Sequence, residues 1–199
     1  MNILVATTNP GKIREIREIL AGLTVSILTP KDINLDLDVA ENGLSFVENA
    51  ETKARAWSEA TGLAALADDS GLCVDALDGR PGVRSARFAG DNATDEENYR
   101  LLLESMKDVT LRTARFVCAV ALVFPTGEVV TAQGDYEGRI LEESVGTGGF
   151  GYDPVFFDPA SGKSFAQLTA REKNDRSHRK KALVALKQTL VWSGHFNQV

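Results

Sequence analysis

Apolar residues recur along this chain with two different periods, and the change from one to the other marks its elements. Ile3 to Ala6 form a short apolar run that predicts a buried strand, whereas Ile13, Ile16 and Leu20 recur at helical spacing beside Arg14 and Glu18, four apart. Ser45 and Glu48 have the spacing of a capping box, and Phe46, Ala50, Ala54 and Trp57 then fall on one stripe, predicting a helix to about Ala60. Leu63 to Ala67 and Leu72 to Leu77 read as strands interrupted at Asp68-Asp69-Ser70-Gly71. A second capping pair, Thr94 and Glu97, precedes a helix over Tyr99 to Met106. Arg115 to Phe124 and Glu128 to Gln133 predict two strands joined as a hairpin by Pro125-Thr126-Gly127. Thr169 and Glu172 cap a short helix, and Leu183, Leu186 and Leu190 place a last one near residues 178 to 191.

Strands and helices that alternate and then give way to a hairpin predict an α/β fold with a mixed sheet covered by helices. At 199 residues and 43% hydrophobic content the chain can bury one substantial core, and no linker or repeat divides it, so one domain over 1–199 is expected, with a loose tail after about residue 192. His195 in that tail has no partner visible in the sequence and reads as a surface residue. The longest apolar run, Phe116 to Phe124, is too short to span a bilayer, and no secretory signal is visible, so a cytoplasmic protein with no membrane role is expected. Cys73 and Cys118 lack metal or redox spacing and read as core thiols.

A formal net charge of −6 excludes a general basic surface for nucleic-acid polymers, so any polyanion site must be local. The one dense basic cluster is Arg171, Lys173, Arg176, His178, Arg179, Lys180 and Lys181, of which Lys180 and Lys181 read as a solvated helix face. Lys12 sits in the first turn of a helix, where free N–H groups already carry partial positive charge. A bound anion, most simply phosphate, resolves that conflict; an ordinary βα turn with a solvated lysine is the competing reading, and the spacing is not that of a Walker A loop. Ser177-His178-Arg179 repeats the violation at the start of the last helix, and two breaches of one rule suggest one shared anionic or acceptor-rich ligand.

Glu41, Asp68 and Asp69 are candidate ligands for a hard cation, which takes carboxylate oxygens, waters and substrate phosphates; turn formation is the alternative for the paired acids. The Gly-rich segment from Gly146 to Phe157 lets backbone approach a flat ligand. Phe150 offers it a stacking face, and Asp153 is either an acceptor for a base N–H or a turn initiator before Pro154. A core strand through Val155, Phe156 and Phe157 is expected in either case. With two histidines and no Ser/His/Asp arrangement, metal-assisted phosphate chemistry is better supported than acyl transfer.

In order along the chain, TTNPGK, LSFVENA, ADDSGL, PGVRSARFAG, GTGGFGYDPVFF and REKNDRSHR resemble the motifs of the inosine/xanthosine triphosphate pyrophosphatases, over nearly all of the chain before Trp192. The resemblance implies an elongated mixed sheet flanked by helices, two lobes with the active-site cleft between them, a homodimer, and Mg²⁺-dependent hydrolysis of deaminated purine triphosphates (ITP, dITP, XTP) to monophosphate and pyrophosphate. By that resemblance Thr7, Thr8, Asn9, Pro10, Gly11 and Lys12 form the phosphate loop. Glu41 and Asp69 are the metal acids, Asp69 is also the general base, and Ser70 touches substrate. Phe150, Gly151, Tyr152 and Asp153 bind the nucleoside; Lys53, Lys173, Ser177, His178 and Arg179 complete the triphosphate and base contacts. Arg179 can only donate, which suits a 6-keto oxygen and disfavours adenine. A pyrophosphatase for modified pyrimidine nucleotides and a purine-nucleotide binding module without turnover are the competing functions.

Overall fold

The computed structural model describes residues 1–195. Its elements are β1 (Asn2–Val5), α1 (Pro10–Leu20), β2 (Ser26–Leu28), α2 (Phe46–Thr61), β3 (Ala64–Val74), α3 (Asp95–Ser105), β4 (Thr113–Val123), β5 (Val129–Ile140), β6 (Phe156–Asp158), β7 (Lys163–Ser164), α4 (Ala170–Asp175) and α5 (His178–Trp192), with short 3₁₀ turns between them. The strands form one seven-stranded mixed sheet in the order β2-β1-β3-β4-β5-β6-β7. Pairing is parallel from β2 through β1 to β3 and antiparallel from β5 through β6 to β7. The α/β expectation therefore holds, and the parallel end comes from the alternating strand–helix segment that predicted it.

The chain clusters into two units, one of residues 1–69, 118–134 and 179–199, the other of residues 70–117 and 135–178. In the first unit, Ile3 and Val5 of β1, Ile16 and Leu20 of α1, and Leu183, Leu186 and Leu190 of α5 share a core with Cys118, Val120 and Leu122 of β4. Of the α1 positions read at period 3.6, Ile16 and Leu20 turn into this core, while Ile13 is half-buried. In the second unit Leu72, Leu102, Ile140, Phe156 and Phe165 form a separate core, with the Phe156 and Phe165 rings edge-on, 4.8 Å between centroids. Among the described residues no helix is long and apolar enough to cross a membrane.

All three capping boxes are present, at Ser45/Glu48, Thr94/Glu97 and Thr169/Glu172. Four expectations need correction. The break expected at Asp68–Gly71 does not exist, because β3 runs unbroken from Ala64 to Val74. Gly71 is there for closeness rather than for a turn: a Cβ would lie 2.4 Å from Ser85 Oγ, and that hydroxyl accepts the Leu72 N–H at 2.8 Å. α3 starts at Asp95, right after its cap, not at Tyr99. Val155 belongs to a 3₁₀ turn initiated around Pro154, so the strand begins at Phe156. His195 does have partners: its ring stacks on Phe124 at 4.9 Å, Nε2 meets Glu128 Oε1 at 3.0 Å, and Nδ1 meets Ser193 Oγ at 2.5 Å. The expected tail after 192 otherwise falls, from residue 196 on, outside the described residues.

Candidate active site

At the start of α1 the chain closes on itself before any ligand is considered. Asn9 is the N-cap, its side-chain oxygen accepting from the N–H groups of Gly11 (2.8 Å) and Lys12 (3.2 Å), while Pro10 has no N–H to satisfy. Thr7 Oγ1 accepts from Asn9 N–H at 3.2 Å. The loop of Thr7 to Lys12 is thereby shaped by its own side chains.

Both cations that break the dipole rule meet one carboxylate of the protein. Lys12 Nζ donates to both Asp68 oxygens, at 2.9 and 3.1 Å, and Arg179 Nε donates to Asp68 Oδ2 at 3.0 Å. The first turns of α1 and α5 therefore share one carboxylate, which is 7% exposed. Burial pushes the Asp68 carboxyl up, but Lys12 and then Arg179 pull it down further, so it lies far below the usual carboxylate range. Arg179 Nη1 also lies 3.6 Å from Glu15. Of the two adjacent acids, Asp68 is thus a structural junction.

Neighbouring strand residues point to opposite faces, so Asp69 meets a different environment. Asn49 Nδ2 donates to Asp69 Oδ2 at 2.9 Å, and one helical turn later Lys53 Nζ donates to Glu41 Oε1 at 2.7 Å. One face of α2 therefore addresses both acids expected to serve the metal. Among the described residues, no group of three or more His, Cys, Asp or Glu is gathered as a protein-only metal site.

In the second unit the glycine-rich loop folds around Asp153. Gly149 has φ +77°, and a Cβ there would fall 2.0 Å from Asp153 Oδ2, so only glycine fits. That oxygen accepts from Phe150 N–H at 2.8 Å and from Lys173 Nζ in a short ion pair. The carboxylate is thus held inside its own loop, by Lys173 in particular. Burial raises the Asp153 carboxyl above its ordinary value; Lys173 and the Phe150 N–H oppose this, and Asp95 adds to it. Phe150 is 69% exposed, with Lys173 Nζ 4.0 Å from its ring centroid, so a cation covers part of the expected stacking face. Gly151 N–H donates to Asp95 Oδ2 at 2.6 Å, and Tyr152 OH donates to Ser85 O at 2.8 Å. His178 stacks on Phe116 at 5.2 Å. Ser70 lies half-buried in β3, and Ser177 half-buried between α4 and α5.

The expected residues fall into local groups: Lys12 with Asp68 and Arg179, and Lys53 with Glu41, in the first unit; Phe150 with Asp153 and Lys173 in the second. Asn49, Glu15 and Asp95 were missed. Asn49 had a signal, a short polar residue between apolar Phe46 and Ala50 on a buried stripe; Asp95 looked like ordinary first-turn acid and carried none.

Comparison with known proteins follows the same segments. A profile of the Ham1 family matches residues 3–189. The dITP/XTP pyrophosphatase of Geobacter sulfurreducens is 50% identical over 194 residues, covering 96% of this chain and 98% of that one. That of Thermus thermophilus is 50% identical over 188 residues, covering 94% and 90%. Among solved structures, the Ham1 protein of Staphylococcus aureus superposes with a TM-score of 0.89 at 38% identity, covering 97% of this chain and all of that one. A nucleoside-triphosphatase / dITP/XTP pyrophosphatase from Mycobacterium abscessus gives 0.80 at 45% identity, covering 94% and 98%.

Proposed function

Because the chain belongs to the Ham1 family, we propose that it hydrolyses the deaminated purine nucleoside triphosphates ITP, dITP and XTP to the monophosphate and pyrophosphate. The observation that carries this reading is identity of 50% to a dITP/XTP pyrophosphatase with almost complete coverage of both chains. The local geometry supports it with two acids, Glu41 and Asp69, each met by a side chain from one face of α2.

In this reading Asp69 accepts the proton of the water that attacks the α-phosphorus, and the bond to the β-phosphate oxygen breaks as pyrophosphate leaves. Lys12 and Lys53 bring positive charge to the phosphates, and Lys173 serves the same end. The donor set fits Mg²⁺: Glu41 and Asp69 offer carboxylate oxygens only, and Mg²⁺ ordinarily takes one or two of these together with substrate phosphates. When bound, the cation supplies neutralisation of the phosphate charge. Phe150 to Asp153, Ser177, His178 and Arg179 are assigned to the nucleoside, and the protein acts as a homodimer on the cytoplasmic nucleotide pool.

The test is Mg²⁺-dependent pyrophosphate release from ITP, XTP, GTP and ATP side by side. Release from ITP and XTP with little from GTP and ATP is expected; orthophosphate as first product, or no release at all, refutes the reading. Asp69→Asn should lower kcat by about 10²–10⁴-fold while nucleotide still binds, which separates a hydrolase from a binding module. Arg179→Ala also disturbs Asp68 and so lowers turnover of every nucleotide. A role in base selection shows as a fall in the ITP-to-ATP ratio of kcat/KM, and an unchanged ratio removes that role.

A further inference from the structure

Asn49 is an anomaly on α2. The helix turns Phe46, Ala50, Ala54 and Trp57 inward, and Asn49 lies among them at 1% exposure although an apolar residue would satisfy the same stripe. A buried carboxamide is costly unless both ends are hydrogen-bonded, and both are. Its Oδ1 accepts from Gly43 N–H at 2.7 Å and its Nδ2 donates to Asp69 Oδ2 at 2.9 Å. A backbone N–H can only donate and a carboxylate can only accept, so these partners permit one orientation of the amide.

The loop is built to receive it. A Cβ on Gly43 would lie 2.7 Å from Asn49 Oδ1 and 2.9 Å from Glu48 Cβ, so a side chain at 43 would push the loop off the amide. Gly43 follows Glu41 by two residues, and Glu41 is itself met by Lys53, one turn beyond Asn49. The two acids of the proposed reaction thus refer to one rigid helical face. Asp68 is fixed by cations, whereas the amide gives Asp69 a hydrogen bond without a charge.

We propose that Asn49 is a positioning residue, which sets the orientation of the Asp69 carboxylate and, through Gly43, the place of the Glu41 loop. This rests on the reading of Asp69 and Glu41 as the working acids, and its test is arranged so that the two can fail separately. Asn49→Asp keeps the size and the acceptor for Gly43 N–H but turns an oxygen toward Asp69; Asn49→Leu removes both bonds. If Asn49 only tethers the loop, Asn49→Asp stays close to wild type and Asn49→Leu does not. If it positions Asp69, Asn49→Asp loses about 10–100-fold in kcat, at least as much as Asn49→Leu. Its nucleotide KM should change by less than about threefold.

The second arm uses no turnover and is run in EDTA. Exchanging the partners, Asn49→Asp with Asp69→Asn, restores a donor facing a carboxylate and leaves an acceptor for Gly43. The exchanged protein should melt above Asn49→Asp alone, with positive coupling in the double-mutant cycle. Wild-type turnover in Asn49→Asp, or no coupling in the exchange, overturns the proposal. If the wild-type protein hydrolyses no nucleotide, the functional reading fails and the exchange alone decides whether Asn49 holds Asp69.

Discussion

Asp68 and Asp153 are both buried carboxylates held by a lysine, one in each unit, yet burial wins at one and loses at the other. Asp68 faces two cations, Lys12 and Arg179, and is driven below the usual carboxylate range; Asp153 has Lys173 and a backbone N–H, with Asp95 acting against them, and is raised. Desolvation is the largest single influence at each. The second cation at Asp68 and the opposing Asp95 at Asp153 together separate the two signs.

The strongest way to break this contrast is to remove the acids. Asp68→Asn leaves Lys12 and Arg179 facing each other with Glu15, 3.6 Å from Arg179, as the remaining counter-charge, and should destabilise by about 3–5 kcal/mol in urea unfolding. Asp153→Asn retains an acceptor for Phe150 N–H and strands one cation, so its loss should be clearly smaller. Equal losses would mean that the second cation is irrelevant. Arg179→Met makes Asp68 a one-cation site like Asp153, and its cost should fall between those two.

The pH dependence sharpens the contrast through opposite signs. Asp68, whose folded value is lowered from 3.8, contributes stability that is complete above 3.8 and is lost as pH falls toward its folded value. Asp153, whose folded value is raised from 3.8, contributes stability that is complete below 3.8 and is lost as pH rises through its folded value. Between about pH 7 and about pH 3, the Tm gap between wild type and Asp68→Asn should narrow, while that between wild type and Asp153→Asn should widen. Parallel trends would contradict the assignment. The smallest effect is expected at the exposed His195–Glu128 contact, where His195→Ala should cost less than about 1 kcal/mol.

Much of this was legible in the chain. The capping boxes, the helical stripes and the two cations breaking the dipole rule are local patterns, and each pointed to a real feature. The dipole rule asked for one ligand shared by Lys12 and His178-Arg179; that Asp68 joins Lys12 to Arg179 was not legible, because the Arg179 contact joins residues 111 positions apart in sequence. The Asp-Asp-Ser-Gly run misled for a related reason: turn residues are read from local preference, and here partners distant in sequence override it. β2 was missed because a three-residue strand, Ser26–Leu28, has too few positions to show a period. No local pattern announces that Lys173 pairs with Asp153.

β3 behaves as a partition one peptide thick. On one side of it a carboxylate fastens the beginnings of two helices; on the other, its covalent neighbour is held by an amide from a third. Substitution can change either side alone, but a single residue inserted ahead of Asp68 would shift the parity of the strand, turning Asp68 to the face of Asn49 and carrying Asp69 one position past it, with no carboxylate left where Lys12 and Arg179 meet. Spacing within β3, and not merely the presence of two acids, is therefore what separates holding the fold from the chemistry proposed for it.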